Sequence, residues 1–142
     1  KHHPSTDIIF DWEKMFVLTG NSGPYLQYTN ARARSVLKKS QNPNPKLQTN
    51  SKFKIQNSKF ESEELALLRT LCKFPEVVEN AAQTYSPNVI CNYLFELASK
   101  YNLMYNNLPI LGNDLRLKLT QATANILKKG LELLGINAPE RM

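Results

Sequence analysis

Apolar residues in the second half of the chain recur at intervals of three and four. Leu65, Leu68, Leu71 and Cys72 make one stripe, and Ile90, Tyr93, Leu94, Leu97, Ala98, Tyr101, Met104, Tyr105 and Leu108 make a second, the most regular in the chain. Leu115, Leu119, Ala122 and Ile126 make a third. A helix turning about 100° per residue gathers such positions on one side, so each stretch is expected to be an amphipathic helix that buries that side. The punctuation agrees. Ser62 followed by Glu63 and Glu64 offers an N-cap and first-turn acids, and Pro75 restarts a short helix carrying Val78, Ala81 and Ala82. Ser86-Pro87 caps the long tyrosine-bearing segment, while the last helix opens at Asn113-Asp114 and ends at Gly135, with Pro139 just beyond. Helices joined by short connections pack as an antiparallel bundle, which makes the expected fold class all-α.

The first half is less regular. Residues 7–18, DIIFDWEKMFVL, start with β-branched and aromatic residues and then lose alternation, predicting a brief extended segment leading into a helical turn. Gly20-Asn21-Ser22-Gly23-Pro24 is a turn cluster, with Pro24 placed to begin a helix running to about Lys39. From Lys38 to Lys59 there are six lysines and no acids, with Pro43, Pro45 and much Asn, Gln and Ser. This composition predicts a linker or mobile loop, and within it Asn50-Ser51-Lys52-Phe53 recurs as Asn57-Ser58-Lys59-Phe60. The chain therefore reads as a single domain over 1–142, divided into a leading segment with a glycine turn and helix (1–40), a lysine-rich loop (41–60) and a helical bundle (61–142).

Charge sharpens that division. Residues 1–60 hold ten Lys/Arg against three Asp/Glu, a net +7, whereas residues 61–142 hold eight against nine, a net −1. A positive region beside a near-neutral helical body is the electrostatic footprint of a nucleic-acid binder. Neither Cys72 and Cys91 nor the adjacent His2 and His3 have metal-site or disulfide spacing, so buried, reduced thiols in a cytoplasmic protein are expected. No apolar run is long enough to span a bilayer, and the missing start methionine suggests a piece of a longer chain.

Candidate chemistry is sparse. Ser35 and Lys38 form an SxxK pair that helical spacing produces by chance, Gly20-Asn21-Ser22-Gly23 lacks the lysine of a phosphate loop, and Asp7, Asp11 and Glu13 fit a solvated surface. No nucleophile has a base beside it, so no catalytic residue and no cofactor are expected in this chain. More informative are Tyr25, Tyr28 and Arg32, at i, i+3 and i+7, which share one helix face about 130° from the apolar stripe Leu26, Ala33 and Leu37. Aromatic rings and arginine on an unburied face, with Arg34 and Lys38 nearby to approach phosphates, suit single-stranded RNA. Two tyrosines packed on the neighbouring bundle with a surface cation between them suit the same spacing. On the long helix Tyr93 and Tyr101 fall in the apolar stripe and are expected in the core, whereas Tyr105, followed by Asn106 and Asn107, is placed to reach outside it. Gly130 inside the last helix costs about 1 kcal/mol relative to Ala, which suggests close approach of another helix.

Two segments, GNSGPYLQYTNARARSVL (Gly20 to Leu37) and GLELLGINAPERM (Gly130 to Met142), resemble class I arginyl-tRNA synthetases. Between them Pro75-Glu76-Val77-Val78, Tyr85-Ser86-Pro87, Tyr93-Leu94-Phe95-Glu96-Leu97-Ala98 and Arg116-Leu117-Lys118-Leu119 are similar to the DALR anticodon-binding domain of that family, as is TDIIFDWEKM to the stretch before it. Asn113-Asp114-Leu115-Arg116 is an imperfect version of the name-giving motif, and the lysine-rich loop is longer than the family pattern. The resemblance implies the anticodon-binding helical bundle of an enzyme that joins arginine to its tRNA with ATP and Mg²⁺. The HIGH and KMSK signatures of the catalytic domain are absent from this sequence, so the chain alone is not expected to aminoacylate. It further implies a monomeric cytoplasmic protein whose partner is tRNA(Arg), chiefly its anticodon stem-loop, with no DNA or membrane partner. The implied contacts are Gly20, Asn21, Ser22, Tyr25, Tyr28, Arg32 and Met142, and Tyr105 joins them from its position at the helix end. Every arginine codon has G at its centre, so these tRNAs share a central anticodon C. Carbonyls and amides of the Gly20–Ser22 turn are the groups expected to test it. A general helical RNA-binding or protein-interaction module without arginine specificity is the alternative.

Overall fold

The structure is a computed structural model that describes residues 5–7, 9, 11–15, 20–41 and 60–142. The lysine-rich stretch 42–59, most of the duplicated motif, and His2 and His3 lie outside the described residues. Six helices are described: α1 (Trp12–Met15), α2 (Gly23–Gln41), α3 (Ser62–Cys72), α4 (Phe74–Gln83), α5 (Asn88–Asn107) and α6 (Asp114–Leu133). No strand occurs among the described residues, so the all-α expectation holds. Asp7, Ile9 and Asp11 precede the single turn of α1 without helical structure, whereas Ile8 and Phe10 are not described.

Consecutive long helices run in opposite directions. On α5 Tyr93 Oη donates to the Thr70 carbonyl of α3 (3.0 Å), while Asn107, at the other end of α5, donates to Glu63 in the first turn of α3 (3.0 Å). Leu94, early in α5, meets Gly130, late in α6. The helix α2 lies along both α5 and α6: Asn21 pairs with Asn92 and Arg32 with Asn102, so α2 runs parallel to α5 and therefore antiparallel to α6, where Arg34 meets Asn125.

The core is built from the stripes read in the sequence. Leu67, Leu94, Leu97, Tyr101, Met104, Leu127 and Leu131 are fully buried, and burying each such side chain stabilises the fold by about 1.5–3 kcal/mol. The phase differs in places. On α6 the innermost line passes through Leu119, Thr123, Leu127 and Leu131, leaving the expected Leu115, Ala122 and Ile126 at its edge. The threonine is admitted because its hydroxyl donates back to the Leu119 carbonyl (2.8 Å). On α4 Val77 packs beside Ala81, whereas Ala82 is exposed. Cys72 is exposed and Cys91 only half-buried, correcting the expectation of buried thiols: both sit at the margins of their stripes.

Helix ends are fixed by an arrangement the cap signals did not resolve. Glu61, not Ser62, is the N-cap of α3, and its backbone N–H donates to Glu64 Oε2 (2.9 Å). The other Glu64 oxygen accepts from Arg116 Nε (2.7 Å) in a nearly buried ion pair. Arg116 Nη1 donates to the Pro109 carbonyl (2.9 Å), and its backbone N–H to the Asn113 side chain that caps α6 (3.1 Å). The DALR-like stretch thus ties the first turns of α3 and α6 together. Ser86 does not cap α5: its hydroxyl donates to the Thr84 carbonyl (2.9 Å), and Pro87 occupies the N-cap.

Burial raises the Tyr93 phenol well above its ordinary range, with Glu96 adding to the effect, and pushes Tyr101 up to about 12. The stability gained by keeping both phenols neutral is fully present below about pH 10 and is lost as pH rises through the folded values. In an alkaline titration followed by phenolate absorbance, two of the six tyrosines are expected to ionise only together with loss of helical circular dichroism. Ionisation of all six before any unfolding would contradict their burial.

A Cβ on Gly130 would lie 2.5 Å from Leu94 Cδ2 and 2.8 Å from Cδ1. Gly130→Ala gains about 1 kcal/mol of helix propensity but overpacks the contact by about 1–3 kcal/mol, so a net loss of about 1 kcal/mol is expected. In a Leu94→Ala background the same substitution is expected to stabilise by about 1 kcal/mol, a reversal that a double-mutant denaturation cycle measures directly.

Candidate nucleic-acid interface

The described part of the leading segment ends in a turn that only glycine takes easily. Gly20 has φ +84°, and its carbonyl accepts from the Ser22 N–H (2.8 Å). Ser22 Oγ then accepts from the Tyr25 N–H (3.4 Å), a long N-cap bond that starts α2. Asn21 Nδ2 donates to Asn92 Oδ1 on α5 (3.0 Å), pinning the turn to the bundle.

Once α2 is started there, its periodicity divides it into three sectors. Leu26, Ala33 and Val36 enter the core; Gln27, Asn30 and Arg34 face α6 and the segment after it; Tyr25, Tyr28 and Arg32 face α5 and solvent. The last group is not uniform. The Tyr25 ring is half-buried, 5.6 Å from the Phe95 ring, whereas Tyr28 is 49% exposed. The Arg32 guanidinium carbon lies 4.8 Å from the Tyr28 centroid and 5.0 Å from that of Tyr105, which is 39% exposed. Arginine thus sits against two tyrosine rings from two helices, a cation–π pair of contacts worth about 0.5–1 kcal/mol each at such exposure. Tyr93 and Tyr101 are in the core, as their stripe predicted.

Asn102, which sequence reasoning passed over, organises this arrangement. Its Oδ1 accepts from Arg32 Nη1 (2.7 Å), while Nδ2 donates to Tyr25 Oη (3.0 Å) and Thr29 Oγ1 (3.1 Å). Arginine only donates, so the amide orientation is fixed, and Thr29, whose own proton goes to the Tyr25 carbonyl (2.9 Å), can only accept from it. One amide therefore sets the position of three residues on α2. The signal lay in its spacing, three residues before Tyr105 on the same helix.

A second strand of structure lies on the other flank of α2. Gln27 Nε2 donates to the Asn137 carbonyl (2.7 Å) and Asn30 Nδ2 to the Pro139 carbonyl (3.1 Å), so the segment after α6 is held along the helix, and Met142 is 68% exposed. The structure thus gathers Tyr25, Tyr28, Arg32 and Tyr105 around Asn102, with Gly20, Asn21 and Ser22 at the start of the same helix.

Ser35 of the SxxK pair donates to the Ala31 carbonyl one turn back on its own helix (2.8 Å). Among the described residues no group of His, Cys, Asp or Glu could hold a metal ion, and no helix is long and apolar enough to cross a membrane.

Residues 26–142 match the family described as the DALR anticodon binding domain. An arginine–tRNA ligase of Fusobacterium nucleatum is 43% identical, over 96% of this chain and 24% of that protein. One of Thermococcus kodakarensis is 39% identical, over 100% of this chain and 23% of that protein. Among solved structures, Thermus thermophilus arginyl-tRNA synthetase superposes with a TM-score of 0.79 at 34% identity, over 98% of this chain and 24% of that one. Arginyl-tRNA synthetase from Plasmodium falciparum superposes with a TM-score of 0.77 at 22% identity over 99% of this chain and 25% of that one, a likeness of fold alone. The chain spans about a quarter of the length of the relatives it matches. With the bundle, the cap network at Arg116 and the matched span from Leu26 to Met142 in agreement, the chain belongs to the DALR anticodon-binding domain family.

Proposed function

We propose that this chain is the anticodon-binding part of an arginine–tRNA ligase and that the Tyr28, Arg32 and Tyr105 cluster grips the anticodon loop of tRNA(Arg). The observation that carries the proposal is the Arg32 guanidinium held against two half-exposed tyrosine rings, at 4.8 and 5.0 Å, by Asn102. Unstacked loop bases gain about 1–3 kcal/mol each by stacking on aromatic faces, and a fixed guanidinium adds charge for the phosphates between them. Orientation in advance matters, because an arginine already immobilised loses little further rotamer entropy on binding. The relatives named above are arginine enzymes, which favours arginine specificity over a general helical RNA-binding module.

In this function the Gly20–Ser22 turn tests the central C with backbone groups. Tyr25 supports the loop from beneath through Asn102, and Met142 closes its other side. The parent enzyme uses ATP and Mg²⁺ on a catalytic domain outside these residues, in the cytoplasm and as a monomer, while the present chain supplies RNA binding alone.

Removing the Tyr28 ring leaves the fold almost untouched because half of the side chain is exposed. Tyr28→Ala is expected to weaken binding of an arginine tRNA by about 1–3 kcal/mol in a titration, with the melting temperature nearly unchanged. Wild-type affinity in this variant would remove the stacking platform from the account. Asn102→Ala frees Arg32 and leaves Tyr25 and Thr29 without their donor. About tenfold weaker binding is expected, together with a stability loss of about 1–3 kcal/mol.

A further inference from the structure

Burying an amide side chain is costly unless its hydrogen bonds are made, and a leucine would fill the same volume without that cost. Asn30 is only 1% exposed, and its Oδ1 has no hydrogen-bond partner among the described residues. Its Nδ2 bonds outward from α2, to the carbonyl of Pro139 (3.1 Å). One turn earlier Gln27 Nε2 does the same to the carbonyl of Asn137 (2.7 Å). A third contact precedes these two, since a side chain at Gly23 would begin 4.0 Å from Ile136 Cδ1.

The three contacts keep register. Gly23 to Asn30 is seven helical residues, about 10 Å at 1.5 Å each, and Ile136 to Pro139 is three extended residues, also about 10 Å at 3.3 Å each. The 136–139 stretch therefore runs along α2 in the same direction, bonded at alternate residues through backbone carbonyls. Bonds to carbonyls hold the path of a segment whatever its side chains are. Gln27 and Asn30 also alternate in sequence with Tyr28 and Arg32, so one rigid helix carries both the latch and the aromatic–arginine face.

We infer that Gln27 and Asn30 are positioning residues: their two amides fix the 136–142 segment on α2 so that Met142 meets the same RNA loop as Tyr28 and Arg32. This rests on the RNA-binding reading of that face. Neither amide touches the RNA; each acts through the segment it holds. Ile136 and Ala138 pack on the core, but Pro139 carries the last of these hydrogen bonds, and the three residues beyond it reach at most about 10 Å, so the latch sets how far Met142 can stray from α2.

The test uses uncharged replacements of similar size, Gln27→Leu and Asn30→Leu, which remove the donors without changing the attraction for phosphate and add no methionine. Protein labelled at its methionine methyls contains Met142 as the reporter and Met104, fully buried in α5, as the control for an intact fold. In the parent chain the Met142 methyl signal is expected to shift on adding an arginine anticodon stem-loop while Met104 stays in place. In either variant Met104 is expected to be unchanged, Met142 to take the narrow signal of a mobile methyl with a much weaker response to RNA, and affinity to fall about tenfold. A Met142 signal unchanged in both variants would show that the amides do not position the segment. A released Met142 with parental affinity would show that the segment does nothing for binding. Either result overturns the inference, whereas a parent chain that fails to bind the stem-loop at all would instead overturn the RNA reading beneath it.

Discussion

A close approach between two helices of this bundle is set by the absence of a side chain. At Gly130 the α6 backbone has no Cβ, and the fully buried Leu94 of α5 fills the space, with its branch carbons about where that Cβ would press. Two helices packed this tightly have little freedom to slide, because interiors at crystal-like density move by discrete repacking rather than continuous shift. The groove along the α5–α6 pair is then a fixed surface, and α2 lies along it. That arrangement places Arg32 beside Tyr105, two residues separated by about half of the chain.

The proposed RNA-binding face is a by-product of how α2 is seated. A helix with one apolar stripe could rotate by several degrees without losing much burial. Here Asn102 on one flank and the carbonyls of Asn137 and Pro139 on the other prevent it, each by directional hydrogen bonds. Net charge contributes differently. The excess of lysine and arginine in residues 1–60 draws an anionic partner from a distance, but it falls off within a Debye length and carries no sequence information. Specificity in the proposed function has to come from the short-range geometry of the turn, the tyrosines and the segment opposite.

Much of this was legible in the sequence. The helices of the second half followed from apolar spacing because each buries one stripe, and Gly130 announced a close contact because a glycine inside a helix is otherwise unfavourable. Tyr28 and Arg32 stood out because their side chains had no place in the apolar stripe of their helix, and Tyr105 because it sits at the end of its stripe beside Asn106 and Asn107. What stayed hidden were the polar pairings between distant elements. The spacing of Asn102 from Tyr105 placed it on that side of the helix, but nothing local marks it as the partner of Arg32, or Glu64 as the partner of Arg116, since asparagines and glutamates on helices are ordinarily solvated. Gln27 and Asn30 were hidden for the same reason: their acceptors are backbone carbonyls, which every residue has. The α6 stripe was misphased at Thr123 because a hydroxyl bonded to its own helix behaves as a small apolar group, and the burial of Cys72 was misjudged because a stripe does not say where its edge lies.

The account turns on short-range recognition of one base rather than attraction to a polyanion. The measurement that separates the two is binding of this chain to an arginine tRNA transcript and to the same transcript with its central anticodon C changed to G, each at two salt concentrations. The account predicts a marked loss of affinity with the changed base that survives at the higher salt, because the discriminating contacts are made to the base itself. Equal affinity for both transcripts, vanishing together as salt rises, would contradict it and leave a basic helical domain that binds RNA without reading it.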